Sequence, residues 1–223
     1  MSTRSALIVA ALVAAASAPT VAQSGGHVEV TGFGGWVFSD GVEGNSIVAG
    51  DGNIYDRIDP KDSGSYGFSV GVMTTDHVAV GFMYVNQLSE LLVSGTNERT
   101  IGDMSVKNYH GYVEYKFGEP DAVARPFIFG GFGATNYASV DVTVAGVNRS
   151  IGGETQFSST WGGGVKAYFS PRVGGLAQFR FTPTYIKSDP GGWWCDPYWG
   201  CYAVGDPQYS NQVEFSGGIT LRF

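Results

Sequence analysis

Charge is scarce in this chain of 223 residues: Asp, Glu, Lys and Arg make up 15% of it, where about 25% is usual for a soluble globular protein. The balance is acidic, with a net charge of -7, which excludes the clustered basic face that nucleic acid requires. Cysteine is limited to Cys195 and Cys201, too few for a multi-disulfide scaffold or a complete thiolate metal site. Histidine occurs three times, at His27, His77 and His110. After residue 22 no apolar run approaches the roughly 20 residues of a membrane-spanning helix. No stretch there sustains a 3.6-residue apolar period either, so a helical bundle is excluded.

The apolar residues at the start have a different meaning. Arg4, an apolar run from Ala6 to Ala16 and the small-residue stretch Ala18-Pro19-Thr20-Val21-Ala22 have the layout of a secretory signal peptide. Residues 1–22 are read as that signal, with cleavage after Ala22; a cut after Ala18 is the alternative. Residues 23–223 are then one domain.

What the chain has in quantity is glycine, 34 residues, and aromatics, 14%. Beyond residue 22 these fall in stretches that alternate with period two, the mark of strands with two unlike faces. Eight such runs stand out: Val28 to Phe38, Ser65 to Thr74, Val78 to Leu88, Met104 to Phe117, Arg125 to Tyr137, Ser158 to Phe169, Leu176 to Ile186 and Tyr209 to Phe223. Each matches or exceeds the roughly 9–11 residues with which a tilted strand crosses a bilayer. The links alternate in length. Short ones are 75–77, 118–124 and 170–175; long ones are 39–64, 89–103, 138–157 and 187–208. An even-stranded transmembrane barrel with both termini on one side produces that rhythm. The sequence thus predicts an all-β fold, an eight-stranded antiparallel transmembrane β-barrel.

Parity assigns the faces. In the last run Val213, Phe215, Gly217, Ile219, Leu221 and Phe223 share one face, and Glu214, Ser216, Gly218, Thr220 and Arg222 the other. A membrane barrel turns the first set to lipid; a water-soluble barrel would do the reverse, and parity alone does not separate the two. The secretory signal and the terminal aromatic favour the membrane. Inward parity then gathers Glu29, His110, Glu114, Lys116, Lys166, Arg180 and Arg222 as a polar set in the lumen. Two readings stay open: a plug that stiffens the barrel, or a narrow solute path gated by ion pairs. Aromatics near run ends, among them Trp36, Tyr66, Tyr115, Tyr137, Trp161 and Tyr185, are expected in interfacial girdles.

The carboxyl end, Gln212-Val213-Glu214-Phe215-Ser216-Gly217-Gly218-Ile219-Thr220-Leu221-Arg222-Phe223, resembles that of the small outer-membrane β-barrel proteins, the group that takes in the OmpA transmembrane domain and OmpX-like and OmpW-like barrels. The resemblance covers everything after residue 22. It implies residence in the outer membrane of a Gram-negative cell with both termini periplasmic, and contact with outer-membrane lipid and lipopolysaccharide. It also implies an assembly signal for the barrel assembly machinery in Phe215, Ile219, Leu221 and Phe223. A monomer without cofactor is expected. No peptidoglycan-binding segment follows in this sequence, so cell-wall anchoring is not implied.

Three features could carry chemistry. The link 187–208 holds Trp193, Trp194, Tyr198, Trp199 and Tyr202 around Cys195 and Cys201; the cysteines are expected to bridge, a metal pair being the alternative. That aromatic set is either a surface for an unidentified ligand or a flap over the barrel mouth. The link 39–64 holds Asp51, Asp56, Asp59 and Asp62 without the ordered spacing of a calcium loop, so no metal site is expected beyond weak bridging to lipid phosphates. Small barrels that modify lipid A use a histidine as base. Here no histidine falls in a long link, so no enzyme activity and no catalytic residue is expected.

Overall fold

The computed structural model describes residues 26–48, 54–95, 97–144, 147–151, 153–186, 194–196, 200–202 and 208–223. Their strands, in chain order, are β1 (Val28–Ser39), β2 (Val42–Val48), β3 (Ile54–Pro60), β4 (Ser63–Met73), β5 (Val78–Gly95), β6 (Arg99–Lys116), β7 (Ala124–Tyr137), β8 (Val140–Val144), β9 (Val147–Ile151), β10 (Glu154–Tyr168), β11 (Val173–Ile186), β12 (Trp194–Asp196), β13 (Gly200–Tyr202) and β14 (Gln208–Arg222). Eight of them close a ring. β1 pairs with β4, then β5, β6, β7, β10, β11 and β14 follow in turn, and β14 returns to β1, every pair antiparallel. Closure leaves no unpaired barrel edge, which a lipid surroundings would penalise heavily. Reciprocal backbone bonds between Val28 and Phe223, 3.2 and 2.9 Å, finish the seam.

The links fall on opposite ends. Short turns after β4, β6 and β10 lie at the end where β1 starts and β14 stops, here the turn end; the long links rise from the other, the loop end. All four long links are more regular than their sequence suggests: residues 138–157 hold the β8–β9 pair and 187–208 the β12–β13 pair. Residues 39–64 contain the β2–β3 hairpin, whose β3 pairs with Leu91–Gly95 of β5. Residues 89–103 continue the β5–β6 ladder as far as Val93 opposite Arg99. Alternation fades there because neither face meets lipid, while the antiparallel neighbours still satisfy the backbone. Side chains tie this wall together: Lys61 donates to Glu90 at 2.9 Å, and Arg57 binds both Asp59, at 2.8 Å, and Asp40. The Glu90 bond holds the Lys61 ammonium above the ordinary lysine pKa.

Outward positions form an apolar coat. Phe68, Val70, Phe82, Val113, Ile128, Phe132, Phe179, Phe215 and Ile219 all lie exposed on the barrel wall, Ile219 at 62%. One aromatic departs from the expected girdle: Tyr137 is 1% exposed and faces the lumen. Its parity on β7 is that of Arg125, Phe127 and Phe129, all buried, so strand alternation overrides any preference of the ring for the interface.

Candidate functional site: a layered lumen and its loop end

The interior of an eight-stranded barrel is only wide enough for side chains, so what fills it decides what can pass. Register and burial divide the filling into three layers, one charged, one apolar and one polar. At the turn end Glu29 of β1 accepts from Lys116 at 2.5 Å, from Lys166 at 3.0 Å, from the Tyr168 hydroxyl at 2.8 Å and from Arg222 at 3.2 Å. Lys166 also donates to Glu114 at 2.7 Å, and the Arg222 guanidinium lies 3.9 Å over the Tyr168 ring. The seven residues that parity directs into the lumen divide between this layer, which takes Glu29, Glu114, Lys116, Lys166 and Arg222, and a layer farther in, which takes His110 and Arg180. Arg125, absent from that set, closes the rim by donating to the Asp76 carbonyl at 2.8 Å.

The second layer is apolar. Phe33, Met83, Val85, Tyr112, Phe127, Phe129 and Leu176 form one buried cluster, against the polar-inside habit of such barrels. Glycines on neighbouring strands make the space. A Cβ at Gly67 would stand 2.9 Å from the Phe33 ring, and one at Gly162 2.7 Å from the Phe129 ring. The third layer is polar again. Arg180 donates through Nε and Nη2 to the single oxygen Oε2 of Glu214, whose Oε1 accepts from Ser65 at 3.2 Å. His110 Nε2 is 2.9 Å from Ser158 Oγ, and a chain of bonds runs on through Thr135, Asn108, Gln212 and Gln87 to Ser39. Glu214, missing from the sequence-derived set, is legible from the parity of β14. At the loop end Val37, Leu91, Met104, Val106, Tyr137, Val140 and Ile186 are buried alongside Gln87, Ser89, Gln156 and Ser210.

His77 is held at the turn end through Nδ1, 3.0 Å from the Lys116 carbonyl. Of the acidic residues expected in the first long link, Asp59 is engaged by Arg57, and Asp62 accepts the Ser39 N–H at 2.9 Å. Asp51 and the Asp56 side chain lie outside the described residues. Among the described residues no three His, Cys, Asp or Glu side chains gather as a metal site. Trp193, Tyr198 and Trp199 likewise lie outside. The backbone of β12 and β13 is described, and it sets Trp194 opposite Tyr202 and Cys195 opposite Cys201. Phe215, Ile219 and Phe223 are exposed on the wall, while Leu221 is half-buried.

A closed antiparallel barrel with an apolar coat is a transmembrane β-barrel. The chain belongs to the outer membrane protein beta-barrel domain family, whose model matches residues 6–223, and it is accordingly an outer-membrane β-barrel protein. Comparison with the curated proteins finds no match. Among solved structures it is similar to the outer membrane protein OprG from Pseudomonas aeruginosa, at 13% identity and a TM-score of 0.59 over 90% of this chain and 97% of that one. It is also similar to Neisserial surface protein A, at 14% identity and a TM-score of 0.49 over 90% and 98%. Identities this low show a shared fold alone.

Proposed function

We propose that this protein is a non-conducting outer-membrane barrel that acts through its loop end, as a platform for surface interaction. The observation that carries the reading is the buried apolar cluster of Phe33, Met83, Val85, Tyr112, Phe127, Phe129 and Leu176, which interrupts the polar filling, so a solute moving along the axis would have to displace buried rings. A narrow passive channel, the other reading of the polar set, would call for a continuous wet path. In the proposed orientation the signal peptide of residues 1–22 directs export, both termini are periplasmic, and the loop end faces outward, since short turns and strand termini share one end. Outer-membrane lipid, lipopolysaccharide and the barrel assembly machinery are the proposed partners, the last reading the alternate apolar residues of β14.

Contact with an external ligand is assigned to the aromatic link around β12 and β13, because clustered aromatic rings mark contact surfaces. The test is a Trp194→Ala, Trp199→Ala double variant, scored on whole cells in a ligand and adhesion screen. Normal assembly with reduced binding supports the reading; binding unchanged from wild type contradicts it.

A further inference from the structure

A polar row interrupts the apolar coat. On the outward face of β4, β5, β6, β7 and β10, the residues Tyr66, Asn86, Lys107, Asn136 and Thr155 are consecutive cross-strand neighbours and form a single row. One step toward the turn end the next row is Phe68, Tyr84, Tyr109, Ala134 and Phe157, with Phe68–Tyr84 and Tyr84–Tyr109 ring centroids 5.7 and 5.2 Å apart. Below that lies the apolar coat of Val70, Phe82 and Phe132. Along the wall toward the loop end the surface therefore passes from purely apolar side chains through hydroxyl-bearing rings to polar ones.

Three features of the polar row point to a ligand. Lys107 is half-exposed and has no ion-pair partner among the described residues, whereas Lys116, Arg125, Lys166, Arg180 and Arg222 of the barrel strands all point into the lumen. Asn86, its cross-strand neighbour, is 5% exposed, and its Oδ1 is buried with no hydrogen-bond partner. The Asn86 amide donates to the Tyr66 hydroxyl at 2.9 Å, which leaves the Tyr66 proton free to be given outward. A cation, a free hydroxyl donor and an unpaired amide acceptor thus stand together on adjacent strands, above a platform of three neighbouring rings tilted against one another. Leaving a buried acceptor such as Asn86 Oδ1 unmade is costly, and an incoming donor would relieve it.

We propose that Tyr66, Asn86 and Lys107 form an external site for the phosphorylated sugar headgroup of an outer-leaflet glycolipid. Lys107 meets the phosphate. Asn86 Oδ1 accepts from a sugar hydroxyl or acylamide N–H, and Tyr66 donates to a sugar oxygen. The acyl chains lie down the wall over Tyr84, Tyr109 and the apolar coat. A glycerophospholipid would meet Lys107 with its phosphate and offers Asn86 only a donor on a flexible headgroup, whereas a phosphorylated acylamino sugar carries phosphate, N–H or hydroxyl donors and ring oxygens on one rigid frame that reaches all three residues, which is why the glycolipid is favoured. The site rests on the outward orientation of the loop end.

The test uses the full barrel in detergent micelles, titrated with bisphosphorylated lipid A, with its dephosphorylated form and with phosphatidylglycerol, and read by native mass spectrometry. Micelles present both ends of the barrel, so the result does not depend on orientation; labelling of the loop end on intact cells checks that separately. Bisphosphorylated lipid A should bind best, and Lys107→Gln and Asn86→Ala should each weaken it about tenfold, the loss expected for one charge-assisted or buried hydrogen bond. Arg172→Gln at the opposite rim should change nothing. The proposal is overturned if Lys107→Gln binds like wild type, if phosphatidylglycerol binds as well as lipid A, or if Arg172→Gln weakens binding equally. Each variant is first checked for heat-modifiable electrophoretic mobility. Should Asn86→Ala not fold, Tyr66→Phe replaces it, with the same loss expected and unchanged binding overturning the proposal.

Discussion

Glu29 in β1 and Lys166 in β10 are 137 positions apart in the chain and 3.0 Å apart in the lumen. Only ring closure brings them together, and the same carboxylate also takes Lys116, Arg222 and Tyr168. Removing it should leave three cations facing the single carboxylate of Glu114. Breaking a buried pair costs about 3–5 kcal/mol because the remaining charge stays desolvated. Glu29→Gln should therefore lower the midpoint of urea unfolding in micelles by a corresponding amount, and Glu29→Gln with Lys116→Met should recover part of it. Equal stability of Glu29→Gln and wild type would contradict the network as drawn.

Two glycines near the β1–β14 seam separate lumen from wall. Gly218 faces inward, where a Cβ would stand 2.2 Å from the Gly32 carbonyl and 2.7 Å from Phe33 Cβ; Gly32 faces outward with nothing within 4 Å. Gly218→Ala should destabilise by about 1–3 kcal/mol, the usual cost of overpacking. Gly32→Ala should be neutral or stabilising by up to about 1 kcal/mol, since glycine is a poor strand former. Thermal unfolding of both variants decides it, and a reversed order would mean that β1 and β14 pair in another register.

Cys195 and Cys201 are direct cross-strand partners. Opposed residues in an antiparallel ladder have Cα atoms about 4.5–5.5 Å apart, inside the range of a disulfide. Alkylation of the exported protein, followed by mass measurement, should label neither thiol until a reductant is added. Labelling without reductant would remove the bridge from the account.

Phe223 exchanges backbone bonds with Val28, so the terminal residue belongs to the seam as well as to the proposed assembly signal. Its deletion should reduce the fraction of heat-modifiable barrel in isolated outer membranes. An undiminished fraction would show that neither role matters.

Much of the fold was legible because lipid and lumen impose opposite demands on alternate residues. The eight runs and their closure follow from period two and from the rhythm of the links, and the inward charges Glu114, Lys116, Lys166 and Arg180 follow from parity alone. What parity could not show is the apolar filling. Phe33 sits in the run Gly32-Phe33-Gly34-Gly35 and Phe127 and Phe129 flank Ile128, where both faces offer large apolar groups and neither is plainly the lipid side. Only register brings Gly67 and Gly218 beside Phe33. The loop-end wall was hidden for another reason: Ser89, Glu90 and Ser94 read as loop residues, yet a strand in water needs a paired neighbour more than an apolar face.

The most direct test of a lumen closed by its own side chains is single-channel recording in planar bilayers. Wild-type protein should be silent, while a Phe33→Ala, Phe127→Ala, Phe129→Ala variant that retains heat-modifiable mobility should give small steady steps. Steady steps from the wild type, unchanged in that variant, would contradict the account.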